Sequence, residues 1–460
     1  MRPAAEIFRE YDIRGVVGRT LDREVAFAIG RAVGTMIRQG GGHRVVFSRD
    51  CRLSGPELAE GAVAGLVATG CTVQDGGVTP TPVNYWGIVN RGADAGVVLT
   101  GSHNPPDYNG FKLTLFGHTL HGDEIQKVRA LIEAEDYAQG DGKSEAVSLL
   151  PAYIDDLAAK LRQSPRPLKL VIDAGNGTGG MTAVPLYRRL GYEVVPLYCE
   201  PDGHFPHHHP DPTVADNLAA LCRKVSETDA ELGIAFDGDA DRIGVVDRSG
   251  EIVWGDRLLV LLARTVLRAV PGAAIIGEVK CSKTLYDDIA KHGGRPIMWR
   301  AGHSLIKAKM KEEGAALAGE MSGHIFFAHR YYGFDDAVYA GGRLLEILAA
   351  GDKTVCEHLA DLPRLVSTPE LRRDCAEDLK APLVAAVRER FKRAGAAEAF
   401  RVVDIDGVRV EWQDGWGLLR CSNTQPILVL RFEAENEARL RGIEARFDEE
   451  IEAARQTLGQ

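Results

Sequence analysis

The chain has no apolar run long enough to cross a bilayer. Its most apolar stretch, 258–263, is closed off by Arg257 and Arg264, far short of the roughly 20 residues a spanning helix needs. It has no excess of positive charge either. Lys and Arg number 55 against 65 Asp and Glu, a net charge of −10, which argues against a nucleic-acid binder that works by neutralising phosphates. Small anionic substrates remain open, because a few arginines in a cleft outweigh a distant acidic surface. The eight cysteines form no C-x-x-C pair, so reduced thiols are expected rather than a disulfide framework. Arg2, Pro3, Glu6 and Arg9 interrupt the opening residues, and no secretory signal is expected there. These absences predict a cytoplasmic protein with no nucleic acid and no membrane as partners.

What is present is ordinary globular material: 460 residues, 45% hydrophobic and 26% charged, enough for three or four domains. One pattern recurs three times. Apolar strands are expected at 43–47, 168–172 and 273–276, each followed by helix-length segments. A later strand in each copy, at 95–99, 232–236 and 315–318, delivers a polar loop. Few polar residues within the strands and helical spacing between them predict layered α/β units. From about Ser367 the character changes. Amphipathic helices are expected at 377–394 and 435–454, and strand-like runs between them are punctuated by Asp406-Gly407 and Asp414-Gly415, which are hairpin signals. That predicts an antiparallel α+β domain.

Four loops carry chemistry. The first, Thr100-Gly101-Ser102-His103-Asn104-Pro105-Pro106-Asp107-Tyr108-Asn109-Gly110-Phe111-Lys112, is turn chemistry that holds Ser102 open as a possible nucleophile, with Lys112 as a nearby cation. The second, Asp237-Gly238-Asp239-Ala240-Asp241-Arg242, spaces three carboxylates so that they can converge on one hard cation. An EF-hand is excluded, because its sixth position would be Arg242 and its twelfth Arg248. The third, Gly319-Glu320-Met321-Ser322-Gly323-His324, is uninformative on its own. The fourth, Arg420-Cys421-Ser422-Asn423-Thr424-Gln425-Pro426, offers guanidinium, hydroxyls, an amide and turn N–H groups, a suitable phosphate cradle. The run His207-His208-His209 is flanked by proline and reads as a loop rather than a metal site.

Together these motifs resemble the α-D-phosphohexomutases, the phosphoglucomutase and phosphomannomutase superfamily. The resemblance runs from Tyr11 to Pro426 with the motifs in the family order. It implies three related α/β domains at 1–149, 150–252 and 253–365 and an α+β domain at 366–460, all around a central cleft. It implies that Ser102 carries a phosphoryl group, that Mg²⁺ sits on Asp237, Asp239, Asp241 and the Ser102 side chain, and that Arg14, in a Tyr-Asp-Ile-Arg-Gly segment, faces the serine. Glu320 and Ser322 would bind ring hydroxyls, and Arg420, Ser422, Asn423 and Thr424 the substrate phosphate. Tyr11, Arg242 and Lys280 would line the cleft, with Lys112, His303 and His324 as general acid/base candidates. The reaction implied is interconversion of mannose and glucose 1- and 6-phosphates through a 1,6-bisphosphate, with glucose 1,6-bisphosphate as activator, in a monomer. Met321 stands where glucosamine-phosphate relatives typically carry glutamine, which sets a phosphoglucosamine mutase second. A metal-dependent phosphatase would have no need for the Ser102 and Arg420 loops, and a non-catalytic sensor no need for Ser102 and three aspartates.

Overall fold

The computed structural model describes residues 2–163, 166–395, 398–422 and 426–459. The threefold repeat expected from the sequence appears in the strand pairing. Arg44–Arg49 lies between two parallel partners, Thr72–Val78 and Ala95–Leu99. Lys169–Asp173 lies likewise between Glu193–Leu197 and Leu232–Phe236, and Ala274–Glu278 between Arg295–Trp299 and Leu317–Gly319. Parallel strands covered on both faces must be apolar on both, and the delivering strands Ala95–Leu99 and Leu232–Phe236 are buried throughout. In each copy the chain then turns back in an antiparallel strand: Tyr108–Leu115, Ile243–Asp247 and Ile325–Phe327. The loop at each reversal carries the residues singled out above, at the carboxyl ends of the parallel strands, where open α/β sheets place their sites.

Two local expectations need correction. Asn109 and Gly110 look like strand breakers but lie inside Tyr108–Leu115, paired with Gly15 and Arg14 of the strand Ile13–Val16. A side chain on Gly110 would meet the Ile13 carbonyl at 2.0 Å, so the glycine serves strand-to-strand approach. Lys112 is therefore a buried mid-strand residue rather than part of the loop. In the C-terminal domain Trp412 pairs with Gly415, so Gln413 and Asp414 make the turn and Gly415 opens a strand.

That last sheet is antiparallel at every pairing. Helices Glu377–Ala394 and Glu437–Thr457 cover it through Leu383, Val387, Phe391, Ile443 and Phe447, each worth about 1.5–3 kcal/mol of burial. The second and third units share one apolar core, in which Leu186 and Tyr187 join Leu259, Leu262 and Tyr339. The C-terminal domain keeps its own core and meets the third through a small cluster of Val279, Trp416 and Leu418. Among the described residues no helix is long and apolar enough to cross a membrane.

Candidate active site

The Ser102 loop is held from behind by a buried ion pair that the sequence alone does not reveal. Asp50, just past the strand Arg44–Arg49, accepts at Oδ2 from Thr100 Oγ1 and Gly101 N, both at 2.8 Å. Arg52 pairs with Asp50 through Nε at 3.1 Å. Its guanidinium donates to the carbonyls of Ser102 (2.9 Å), Asn104 (2.6 Å), Tyr108 (3.0 Å) and Pro105. Carbonyls that a helix or sheet would have satisfied are here satisfied by one fully buried cation. Gly101 has no alternative, because a Cβ there would sit 2.0 Å from Arg52 Nε. Ser102 itself adopts φ +47°, a left-handed conformation that costs a non-glycine residue roughly 1–3 kcal/mol. The result points Oγ at Asp237 Oδ2, 2.8 Å away, with His103 Nδ1 at 3.2 Å.

The three aspartates are fully buried, and one oxygen from each lies within 4.8 Å of the others. Burial first, then the charges of Asp241 and Asp239, push Asp237 well above the usual carboxylate range. Burial would raise Asp239 too, but Lys112 and the Thr81 hydroxyl hold it below that range. Lys112 Nζ donates to Asp239 Oδ2 at 2.8 Å and also meets Asp241 Oδ2. Thr81 Oγ1 donates to the same Asp239 oxygen at 2.6 Å. Asp239 Oδ1 and Asp241 Oδ1 are buried with no hydrogen-bond partner among the described residues. Orphaned carboxylate oxygens within such a cluster fit a hard divalent cation. Gly238 lets this loop touch the serine loop: a Cβ there would lie 2.4 Å from the Ser102 carbonyl. Arg14 is buried close by and donates from Nη1 to Thr100 O at 2.9 Å, while Nη2 pairs with Asp12.

On the opposite side Glu320 is buried and accepts from Gly302 N at 2.6 Å, with Ser322 half-buried beside it. Glu278 fixes this loop by accepting from Met321 N at 3.2 Å. Lys280 lies 3.2 Å from Glu370 of the C-terminal domain and holds that carboxyl down to about 2. Arg420 Nε donates to Asp406 Oδ2 at 3.0 Å. The same oxygen accepts from Ala301 N at 3.1 Å, and the Ala301 carbonyl accepts from the Tyr11 hydroxyl at 2.6 Å. First, third and fourth domains thus meet in one short chain of bonds. Ser422 is buried, with its carbonyl bonded to Lys380 Nζ at 2.8 Å. Asn423 and Thr424 lie outside the described residues.

The acid/base candidates differ in state. Against the opposing effect of burial, Asp239 and Asp241 hold Lys112 well above the usual lysine range, so it stays a cation. His324 Nε2 accepts from Arg242 Nε at 2.9 Å, which leaves its proton on Nδ1, 3.0 Å from Asp335 Oδ2. His303 stacks on His324 at 5.7 Å. Burial and then Lys307 push it well below the usual imidazole range, and its Nδ1 has no partner among the described residues.

Asp50, Arg52, Thr81, Glu278 and Asp335 were not singled out by the sequence, and Asp406 only as part of a hairpin signal. The one local signal was a carboxylate closing an apolar strand, which Asp50, Asp173 and Glu278 share across the three copies.

Comparison with known proteins matches this geometry. Four family models cover the chain: phosphoglucomutase/phosphomannomutase alpha/beta/alpha domains I, II and III over residues 5–139, 151–250 and 254–366, and the C-terminal domain over 370–450. A phosphomannomutase/phosphoglucomutase of Pseudomonas aeruginosa is 49% identical over 99% of this chain and 97% of its own length. A phosphoglucomutase of Neisseria gonorrhoeae is 47% identical over 97% of each chain. A crystal structure of a phosphoglucomutase/phosphomannomutase family protein from Burkholderia thailandensis superposes with a TM-score of 0.92 at 47% identity, covering 98% of both chains. With all four domain models matched in order and nearly the whole length shared, the chain belongs to the phosphoglucomutase/phosphomannomutase family of phosphohexomutases.

Proposed function

We propose that this protein interconverts the 1- and 6-phosphates of mannose and glucose by passing a phosphoryl group through Ser102. The observation that carries this reading is the meeting of a strained, buried serine with a buried three-carboxylate loop, Oγ to Asp237 Oδ2 at 2.8 Å. A phosphoryl group on Ser102 Oγ passes to the free hydroxyl of a hexose 1-phosphate. The Oγ–P bond breaks, a bond from the sugar oxygen to phosphorus forms, and the hydroxyl proton goes to a base. The 1,6-bisphosphate then turns end for end, and the phosphate on O1 returns to Ser102, releasing hexose 6-phosphate. Glucose 1,6-bisphosphate would reload a serine that has lost its phosphoryl group.

Asp237, Asp239 and Asp241, with an oxygen on Ser102, would hold Mg²⁺, which withdraws charge from the transferring group when bound. Lys112 and Arg14 supply fixed positive charge beside the serine. His303 is the preferred proton acceptor of the three candidates: it is neutral, with a free Nδ1 among the described residues, whereas Lys112 is charged and the His324 Nε2 lone pair is taken by Arg242. Glu320 and Ser322 would read ring hydroxyls, Arg420, Ser422, Asn423 and Thr424 would hold the distal phosphate, and Tyr11, Arg242 and Lys280 would line the cleft between. The domains divide at 1–149, 150–252, 253–365 and 366–460. The free cysteines support a cytoplasmic setting, and a single chain supplies every group named, which supports a working monomer.

Peptide mapping of purified protein should place phosphate on Ser102. Coupled turnover with Mg²⁺ and catalytic bisphosphate should isomerise both mannose and glucose 1-phosphates. Phosphate mapped reproducibly to another serine, or release of inorganic phosphate in place of isomerised product, would overturn the proposal.

A further inference from the structure

Away from the cleft, the return strand that carries Lys112 ends in a tight hairpin. Thr114 pairs with Thr119 and Leu115 with His118, so Phe116 and Gly117 form the turn. Both have positive φ, +51° and +75°, as a type I′ turn requires. Three residues beyond Thr119 the chain turns again at Gly122, whose N–H donates to the Glu10 carbonyl at 2.7 Å, and the helix Asp123–Ala134 begins. The two reversals bring His118, His121 and Glu124 together on the surface.

His118 Nε2 lies 2.8 Å from Glu124 Oε2, and His121 Nδ1 lies 4.0 Å from the same oxygen. The imidazole centroids are 5.2 Å apart, and one donor atom from each residue lies within 4.8 Å of the others. All three side chains are partly open to solvent, at 42%, 24% and 34%, so an ion can enter and water can complete its shell. Two imidazoles with one carboxylate are a donor set for a borderline cation such as zinc, rather than for magnesium, which prefers oxygen ligands throughout. The Glu10 carboxylate approaches the same turn, 3.6 Å from where a Gly122 side chain would begin, and adds to the negative field.

We propose that His118, His121 and Glu124 form a second metal site, selective for zinc-class dications over Mg²⁺ and separate from the aspartate loop. It does not depend on the proposed mutase reaction. A bound ion would add a staple between the hairpin and the first turn of the helix Asp123–Ala134, beside the His–Glu contacts and the Glu124 N–H bond to the His121 carbonyl.

The test is calorimetric titration of the full-length protein with Zn²⁺ in excess Mg²⁺, which keeps the aspartate loop supplied with its preferred ion. One equivalent is expected to bind. The double variant His118→Ala/His121→Ala and, separately, Glu124→Gln should weaken it by about tenfold or more. Asp239→Asn should leave it in place. The three surface side chains are not core, and circular dichroism of each variant verifies folding. No Zn²⁺ binding, binding retained in the double variant, binding lost in Asp239→Asn, or binding that disappears when His207 and His209 are replaced would each overturn the proposal.

Discussion

Gly238 is where two loops from different domains come closest, and it offers the sharpest test of the active-site geometry. A Cβ at this position would lie 2.4 Å from the Ser102 carbonyl oxygen, which is backbone and cannot swing aside. Ser102 O is also fixed from the other side by Arg52 Nη2 at 2.9 Å. Gly238→Ala must therefore push the aspartate loop away from the serine loop by roughly 1 Å, a displacement that can cost about a hundredfold in rate when it separates reacting groups. In barrier terms that is about 2.7 kcal/mol. The groups proposed to hold sugar and distal phosphate, from Glu320 to Ser422, lie on other loops and should be undisturbed. The expected outcome is a kcat about a hundredfold lower with KM for glucose 1-phosphate nearly unchanged. It should be measured by coupled assay at saturating Mg²⁺ and bisphosphate, with thermal unfolding as the check on folding. A kcat within threefold of wild type would refute the claim that the close approach of these loops sets the catalytic geometry.

Asp239→Asn removes one proposed metal ligand while keeping an oxygen that can still accept from Lys112 or Thr81, so it should cut turnover far more than it lowers thermal stability; near wild-type turnover at limiting Mg²⁺ would contradict the metal assignment. Glucose and mannose share equatorial O3 and O4 and should both turn over. Galactose 1-phosphate, with axial O4, should leave a buried hydrogen-bonding group unpaired at a cost of about 1–3 kcal/mol, roughly ten- to a hundredfold in kcat/KM. Equal turnover of galactose and mannose would show that Glu320 and Ser322 do not read O4. Burial lifts Asp336 from 3.8 to about 6, although Tyr331 and Tyr153 donate to it. A carboxyl raised on folding favours the native state while protonated, so this contribution is present at pH 4 and lost as pH rises through 6. Asp336→Asn, which can still cap the helix Ala337–Ala349, should flatten that part of the stability profile; parallel profiles for the two proteins would remove Asp336 as the cause.

Much of the site was legible because it is local. Ser102 and the three aspartates sit in contiguous loops after apolar strands; the aspartate spacing alone points to a metal, whereas Ser102 is there only a possible nucleophile and its role is what the resemblance implies. The three-copy strand pattern was legible for the same reason, since buried parallel strands must be apolar on both faces. What could not be read is what those loops lean on. Arg52 lies 50 positions from the serine whose carbonyl it holds, and Thr81 lies 158 from Asp239. No local property marks either, because their meaning arises only from the pairing of distant strands. Lys112 was found but misplaced: Asn109 and Gly110 carry turn chemistry, and tertiary pairing with Gly15 and Arg14 overrode it. The hairpin expected at Asp414-Gly415 is present, with its turn one residue earlier at Gln413-Asp414, and the small size of Gly415 serves the approach of Glu433 O at 2.6 Å from a Cβ position.

The oxygen that Arg420 and Ala301 share has a further consequence. Asp406 Oδ2 satisfies the arginine and, at once, the backbone of the third domain. A phosphate arriving at Arg420 is a stronger partner for its guanidinium than a carboxylate already divided between two donors. If Arg420 holds the substrate phosphate as proposed, drawing the arginine away would leave that Asp406 oxygen to Ala301 among the described residues, and would re-weight the seam that also includes Tyr11. Occupancy of the cradle and tightness of the seam then become two readouts of one equilibrium. By linkage, a seam loosened by Tyr11→Phe should shift phosphate affinity, by an amount set by how far the substitution moves the seam equilibrium.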